Sequence, residues 1–312
     1  MLSVPPCCQW ALQLASFMPA RANQRQRRGG NNQVIAWLFV LPFVILYVLF
    51  LIYPAIQVCY LSLTNSDIAS QGHLTGFANY SSLFTDADFW ASIAHTAYFV
   101  VLTVVPNTAI GFILSLLVVR LKRLRLLVMG AFFLPNVLAV SVATTAAIWI
   151  LDANFGIINL LTGTNTAWFE DPEWAMPAVA GVTIWWTVGF NMLLFIAGLQ
   201  NIPQEYYEAA ALDGANNFRR FTHITCPLIW PVGSLVLVLQ LILQFKIFDQ
   251  VYLLTLGGPY NSTMVVLLYM YRQGFQQNRG GYAAAIALML VLIIIVASLI
   301  QFRILRIRRT AT

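Results

Sequence analysis

The chain alternates long apolar segments with short polar ones. The apolar segments occupy residues 34–60, 91–119, 126–151, 175–199, 228–256 and 281–302. A transmembrane α-helix needs about 20 consecutive, predominantly apolar residues, and each segment reaches that length. The pattern therefore predicts an all-α integral membrane protein with six transmembrane helices.

The fifth segment differs from the others in its length. Residues 228–256 are too many for a single untilted crossing, so we expect this segment to tilt, bend or protrude. The turn-forming residues Gly257, Gly258 and Pro259 follow it. Beyond them we expect a short amphipathic helix over residues 265–275.

The composition agrees with a membrane protein and excludes several classes of function. Of the 312 residues, 60% are hydrophobic and only 9% are charged. The four cysteines lack the spacing of a metal site, and the three histidines are scattered, so neither a metal centre nor a catalytic constellation is indicated. The chain also contains no P-loop motif that could hold ATP phosphates. We therefore expect no enzyme activity and no cofactor in this chain.

Positive charges mark one side of the membrane. Fourteen of the seventeen lysines and arginines lie in the two terminal tails and in the alternate loops that would share their side. The opposite loops contain only Arg272 and Arg279, and Lys246 lies in the fifth segment. The positive-inside rule then places both termini in the cytoplasm. Because the net charge of +6 follows the topology, it does not indicate a nucleic-acid surface.

A polar stretch, residues 205–231, separates the fourth apolar segment from the fifth. Pro203 is a residue type that is common in the first turn of a helix, and Gly214 is the residue type that most readily ends a helix. A second short helix is expected over residues 217–224, with a stop at Pro227. A membrane bundle does not need this helical hairpin in order to fold, so we interpret the hairpin as a surface for a partner.

Nine residues of this stretch stand at the spacing of a known motif. They are Glu208, Ala209, Ala210, Asp213, Gly214, Ala215, Phe221, Ile224 and Pro227. The stretch resembles the EAA loop of bacterial ABC-importer permeases, and more narrowly the carbohydrate-uptake permeases of the maltose and glycerol-phosphate type. The resemblance implies that the loop, residues 201–227, is a coupling helix that docks into a cleft of a cytoplasmic ATPase subunit. The contact is expected at Glu208, Ala209, Ala210, Asp213 and Gly214.

The resemblance also implies a fold and a domain organisation. It covers residues 34–303, which would form a six-helix permease domain of the type I ABC importer fold in the bacterial inner membrane. Residues 1–33 lie outside it, and we interpret them as a disordered basic tail or as the product of a start codon placed too early. Residues 304–312 are expected to form a second basic tail in the cytoplasm.

Partners and substrate follow from the same resemblance. It implies a second, homologous permease subunit, two cytoplasmic ABC ATPase subunits that bind ATP and Mg²⁺, and an extracytoplasmic solute-binding protein. The implied substrate is a mono- or oligosaccharide or a related polyol, with glycerol-phosphate or another small polar solute as the alternative. A secondary transporter would show internal repeats or a relay of ionisable residues in its spans, and we see neither. Membrane lipid completes the expected partners, and nucleic acid is not among them.

Few polar side chains lie within the apolar segments, so those present are candidate substrate contacts. Gln240 and Gln244 are four residues apart and share one face of the fifth segment. Two interpretations stay open, since these amides can join helices through hydrogen bonds or can line a passage and pair with sugar hydroxyls.

A second cluster lies on the fourth segment and combines aromatic with polar residues. Trp185 and Trp186 either stack on a sugar or belong to an interfacial aromatic belt. In maltose-type relatives the substrate contacts come from these two helices, so the resemblance favours some of the residues there. The candidate path consists of Trp186, Thr187, Phe190, Asn191, Gln240 and Gln244.

The fifth segment also contains two charged residues, Lys246 and Asp249. They are three residues apart, so on one helix they would share a face. We expect a structural ion pair rather than a contact with an anionic substrate, because the aspartate would largely neutralise the lysine.

Overall fold

The computed structural model describes residues 29–67, 70 and 72–310, with side chains from Trp37 to Leu305. Most of the predicted N-terminal tail therefore lies outside the described residues, and a helix already begins at Gly29. The last helix continues to Thr310, so the predicted C-terminal tail is helical as far as that residue. The chain divides into two compact units after Gln57.

Helices make up almost all of the described structure. They are α1 (Gly29–Tyr47), α2 (Tyr53–Leu61), α3 (Ala78–Thr85), α4 (Ala87–Arg120), α5 (Arg125–Val137), α6 (Val140–Ile150), α7 (Ile157–Thr162), α8 (Pro172–Gln200), α9 (Gln204–Leu212), α10 (Asn217–Arg220), α11 (Cys226–Phe245), α12 (Asp249–Leu254), α13 (Val266–Tyr271) and α14 (Gly280–Thr310). Three π-helical turns add to them, at Val48–Ile52, Phe221–Thr225 and Arg272–Gln276. Within the described residues the β-structure is limited to an isolated antiparallel bridge between Thr64 and Leu74.

Five helical stretches are long and apolar enough to cross a membrane. They are Trp37–Leu61, Ala87–Arg120, Pro172–Gln200, Asn217–Phe245 and Gly280–Leu305. α5 and α6 together form a sixth membrane-spanning stretch if the bent pair is counted as one span. The predicted all-α membrane fold is therefore confirmed. The helix predicted over residues 265–275 corresponds to α13 and the π-helical turn that follows it.

The third apolar segment is not the straight helix that its hydropathy suggests. α5 and α6 are bent by 102° relative to each other. Leu138 and Ala139 between them have extended backbone angles, with ψ of 143° and 142°. Pro135 precedes the break and cannot donate a backbone N–H, which weakens the last turn of α5.

The fifth segment, which we expected to tilt, bend or protrude, is interrupted and does not form one continuous helix. α11 ends at Phe245, and Lys246 is its C-terminal cap. The short helix α12 begins at Asp249. Residues 228–256 are thus divided between two helices.

Pro227 does not end its helix, and the predicted stop there is wrong. The π-helical turn Phe221–Thr225 precedes it, and within that turn the Cys226 N–H donates to the carbonyl of Phe221. A π-helical turn is wider than an α-helical one, and we attribute the tolerance of the proline ring to this extra width. α10, the π-helical turn and α11 therefore form the single span Asn217–Phe245.

α8 is the central helix of the second unit, because it packs against α4, α5 and α11. The largest apolar core joins α4, α8, α13 and α14, and it contains Phe99, Val179, Leu268 and Ile286. Gly189 allows α5 to approach α8 closely, since a Cβ atom there would lie 2.0 Å from the carbonyl oxygen of Phe132.

Candidate functional site

The EAA-like loop is a helix–turn–helix at one end of the bundle. Gly214 follows α9 in the left-handed conformation, with φ of +73°. The N–H of Ala215 donates to the carbonyl of Ala210 at 2.9 Å and closes the end of α9. The side chain of Asn216 accepts a hydrogen bond from the N–H of Arg219 at 2.9 Å and caps α10. The predicted helical hairpin with its turn at Gly214 is therefore present.

The motif residues of the loop are accessible. Glu208, Ala209, Asp213 and Gly214 are exposed, and Ala210 is half-buried. Because alanine and glycine have small side chains or none, the backbone of α9 can come close to a partner surface here. Their role in coupling stays a prediction.

Three large apolar side chains of the loop are also exposed, and sequence reasoning missed them. Leu212 is 91% exposed, Phe218 73% and Tyr206 53%. Tyr206 and Leu212 lie between the spans Pro172–Gln200 and Asn217–Phe245, and Phe218 lies at the start of the second of them. Exposed apolar groups beside charged residues outside the membrane spans are typical of a protein interface. The sequence feature that could have identified them is that these apolar residues occur within an otherwise polar stretch.

Two hydrogen-bonded contacts join different parts of the loop to one another. The hydroxyl of Tyr207 on α9 lies 2.9 Å from the hydroxyl of Thr225, in the π-helical turn before α11. Arg220 Nε donates to the carbonyl of Ala215 at 3.0 Å. A displacement of α9 would therefore be transmitted to α11.

The candidate amides of the substrate path form a buried network between helices. Gln240 Nε2 donates to Asn191 Oδ1 at 2.7 Å, which joins α11 to α8. Gln244 Nε2 donates to Gln240 Oε1 at 3.0 Å. All three side chains are buried. In this conformation the amides join helices, which was one of the two interpretations; a contact with substrate stays a prediction.

Asn107 of α4 belongs to the same network, and sequence reasoning did not select it. Its Nδ2 donates to Thr187 Oγ1 at 2.8 Å and to Gln240 Oε1 at 3.4 Å. The sequence feature that could have identified it is an asparagine in the middle of an apolar span, where polar side chains are rare. Among the described residues, Asn107 Oδ1 and Asn191 Nδ2 have no hydrogen-bond partner. The network therefore contains one oxygen that could accept a further hydrogen bond and one amide nitrogen that could donate one.

The aromatic candidates on α8 point in different directions. Trp185 lines an apolar cavity of about 470 Å³ together with Trp168 and Trp174. Trp186 is half-buried, and its Nε1 has no partner among the described residues. Phe190 is 37% exposed. The structure thus does not bring Trp185 and Phe190 into the hydrogen-bonded network of Thr187 and Asn191.

Lys246 and Asp249 do not lie on one continuous helix, which the expected ion pair between them required. Their spacing places them on one face only if the helix is continuous, whereas α11 ends before Lys246 and α12 begins at Asp249. Both side chains are exposed.

A carboxylate, Asp86, holds the opposite end of the bundle together. It caps α4 and accepts hydrogen bonds from the hydroxyls of Tyr269 on α13, at 2.5 Å, and of Tyr282 on α14. Burial raises the pKa of Asp86, but the hydrogen bonds from the two tyrosines and from backbone N–H groups outweigh that effect and lower the pKa below its ordinary value of 3.8. Three helices therefore converge on one charged group.

Comparison with known proteins agrees with this geometry. The family described as "binding-protein-dependent transport system inner membrane component" matches residues 82–309. The sulfoquinovosyl glycerol transport system permease protein SmoG of Agrobacterium fabrum is 30% identical over 282 residues, which are 88% of this chain and 92% of that protein. The multiple sugar-binding transport system permease protein MsmF of Streptococcus mutans is 32% identical over 278 residues, covering 87% of this chain and 95% of that protein.

A solved structure shows the same fold. A chain in the crystal structure of a bacterial ABC transporter involved in the import of the acidic polysaccharide alginate superposes with a TM-score of 0.79, at 23% sequence identity. The match covers 91% of this chain and 99% of that one. The family match extends from α3 into α14 and so includes the EAA-like loop. The chain accordingly belongs to the family of inner membrane components of binding-protein-dependent transport systems.

Proposed function

We propose that this chain is the permease subunit of an ATP-binding-cassette importer that passes a sugar across the bacterial inner membrane. It would work with a second permease subunit, two cytoplasmic ATPase subunits that bind ATP and Mg²⁺, and an extracytoplasmic solute-binding protein. ATP hydrolysis would take place in the ATPase subunits. Both termini and the EAA-like loop would lie in the cytoplasm, in agreement with the positive charge of the loops on that side.

The observation that carries this proposal is the accessible helix–turn–helix between α8 and α11. It presents a carboxylate (Glu208), small residues and two prominent apolar side chains, Leu212 and Phe218, beyond the end of the bundle. Such a combination suits a cleft that takes up a helix and excludes water around apolar contacts. We expect Leu212 and Phe218 to contribute to docking in addition to the motif residues.

The proposed mechanism uses the connection between the loop and α11. Closure of the ATPases would displace α9, and the contact between Tyr207 and Thr225 would transmit the displacement to α11. α11 carries Gln240 and Gln244, so the same motion would rearrange the amide network and open the passage alternately to the two sides.

A sugar is the substrate class that the buried network suits best. Amides and hydroxyls donate and accept hydrogen bonds without carrying charge, as sugar hydroxyls require. The unpaired atoms of Asn107 and Asn191 would take up substrate hydroxyls once the helices separate. The sugar-related names of the relatives SmoG and MsmF agree with this choice. We propose Thr187, Asn191, Gln240 and Gln244 as contacts, with Trp186 and Phe190 as aromatic surfaces that substrate reaches in another conformation.

Co-purification from native membranes tests the proposal. An affinity-tagged wild-type chain should bring down an ABC ATPase. We expect Glu208 to be a hot-spot residue of the interface, and because such residues contribute about 2 kcal/mol or more, the variant Glu208→Arg should lower the amount of bound ATPase by about tenfold or more. Glu170→Arg makes the same charge change outside the loop, at an exposed residue that lines a cavity near Pro259, and should retain the ATPase. A wild-type chain that purifies alone and moves sugar into liposomes without ATP would contradict the proposal.

A further inference from the structure

A cavity of about 410 Å³ lies behind the EAA-like loop, at the end of the bundle where α4 and α8 terminate. The apolar side chains of Leu116, Val119, Leu199 and Phe221 line it. Arg120 and Arg220 also line it, together with Tyr207, Asn217 and Thr225. The lining therefore combines apolar side chains with two basic ones.

The charge within this cavity is unbalanced. Two guanidinium groups line it, and none of its lining residues is acidic. Glu208, on the same helix as Tyr207, is exposed and does not line the cavity. Arg120 is exposed and Arg220 is half-buried, so neither charge is buried. Two guanidinium groups that line the same cavity repel each other, and an anion between them would be attracted to both, so the cavity is suited to an anion.

The guanidinium of Arg220 is held in a fixed orientation. Its Nε donates to the carbonyl of Ala215 at 3.0 Å, and this is the hydrogen bond that the side chain makes among the described residues. Its two terminal nitrogens are thus available, and guanidinium groups bind phosphate oxygens in a bidentate manner. The hydroxyls of Tyr207 and Thr225 lie within the same lining, 2.9 Å from each other.

We propose that this cavity binds the phosphate group of an anionic membrane phospholipid, with Arg120 and Arg220 as its ligands. A soluble phosphate would use only the two arginines. A phospholipid also places its glycerol and the first acyl carbons against Leu116 and Val119, at the level where the membrane-spanning part of α4 ends. Basic cavities between membrane helices on the cytoplasmic side are typical binding sites for such headgroups.

The position of the cavity connects lipid binding with the loop. Tyr207 belongs to α9, and Arg220 and Thr225 belong to the segment that continues into α11. A lipid in the cavity would hold these elements together, so it would stabilise the loop in the orientation seen here. The composition of the inner leaflet would then regulate coupling.

The test is a lipid titration of the full chain, purified with the subunits that accompany it and delipidated in detergent. Short-chain phosphatidylglycerol, phosphatidylcholine and inorganic phosphate are added separately, and native mass spectrometry counts the bound molecules. Wild type should bind phosphatidylglycerol, with little binding of phosphatidylcholine or phosphate. Arg120→Gln should weaken phosphatidylglycerol binding about fivefold, and the double variant with Arg220→Gln should weaken it by more than tenfold, since each arginine near a lipid surface contributes about 1 kcal/mol.

Two further variants keep the interpretation unambiguous. Arg219→Gln removes the same charge one residue away, at an exposed side chain that does not line the cavity, and should bind lipid like wild type. Val119→Trp fills part of the cavity without a change of charge and should also expel the lipid. An equal loss in Arg219→Gln, unchanged binding in the double variant, or binding of inorganic phosphate as tight as that of phosphatidylglycerol would each overturn the proposal. Because the assay measures lipid and not the ATPase, its result is independent of the proposed docking of the loop.

Discussion

Polar residues serve opposite purposes in two regions of this molecule. In the middle of the bundle, Asn107, Asn191 and Gln240 are buried and bond to one another across three helices. In the EAA-like loop, Glu208 and Asp213 are exposed. Within the membrane an amide without a partner would be costly, so these side chains bond to one another, and of their atoms Asn107 Oδ1 and Asn191 Nδ2 stay without a partner among the described residues. On the loop, water satisfies polar groups until a partner replaces it, and the exposed Leu212 marks where that partner makes contact.

The contrast means that the two regions should respond differently to substitution. Changes in the bundle should alter the stability of the folded chain, whereas changes on the loop should alter association and leave stability almost unchanged.

Gly189→Ala should have the largest effect. The new methyl group would lie 2.0 Å from the carbonyl oxygen of Phe132, so α5 and α8 would have to separate. We expect a loss of about 3 kcal/mol or more in the free energy of unfolding, at the upper end of the usual cost of overpacking. Thermal unfolding in detergent measures it. Gly181→Ala on the same helix is the control, since nothing lies within 4 Å of its added Cβ, and it should unfold like wild type.

Gln240→Leu should destabilise the chain by about 1–2 kcal/mol, because the amides of Asn191 and Gln244 would lose their shared partner. Chemical unfolding of the purified chain measures this change. Gln204→Leu, on the exposed face of the loop, should stay within about 0.5 kcal/mol of wild type. If Gln240→Leu abolished transport at unchanged stability, the amides would act mainly on substrate, and the contrast drawn above would be wrong.

Replacement of Asp86 should have the smallest effect on stability. Of the three changes, it is the one whose effect should vary with pH in the acid range. Its pKa is lower in the folded chain than the ordinary value of 3.8, so its stabilising contribution is complete above that value and is lost as the pH falls through the folded pKa. Unfolding temperatures measured from about pH 6 to about pH 3 should fall more steeply for wild type than for Asp86→Asn. At neutral pH the variant should lose about 1 kcal/mol through weaker hydrogen bonds from Tyr269 and Tyr282. Parallel pH profiles for the two proteins would contradict this account.

The sequence predicted the membrane-spanning helices well, because the length of an apolar run and the thickness of a bilayer are directly linked. It also predicted the helical hairpin with its turn at Gly214, since a left-handed residue after a helix favours glycine. Both features depend on local properties of the chain.

Features that depend on packing between distant segments were not predictable in the same way. The stop expected at Pro227 is absent because a π-helical turn precedes it, and the separation of α5 from α6 after Pro135 requires two extended residues that hydropathy does not indicate. The partners of Gln240 come from α4 and α8. Only the folded arrangement shows which helices face each other, so Asn107 was overlooked.

Site-specific photo-crosslinking in native membranes tests directly whether the EAA-like loop contacts an ABC ATPase. A photoreactive amino acid replaces Leu212, the most exposed apolar residue of the loop, or Tyr260, which is 95% exposed between α12 and α13. The probe at position 212 should crosslink to an ABC ATPase subunit, and the probe at position 260 should not. An ATPase crosslink at position 260, or none at position 212 in a chain that still transports, would show that the loop is not the coupling element.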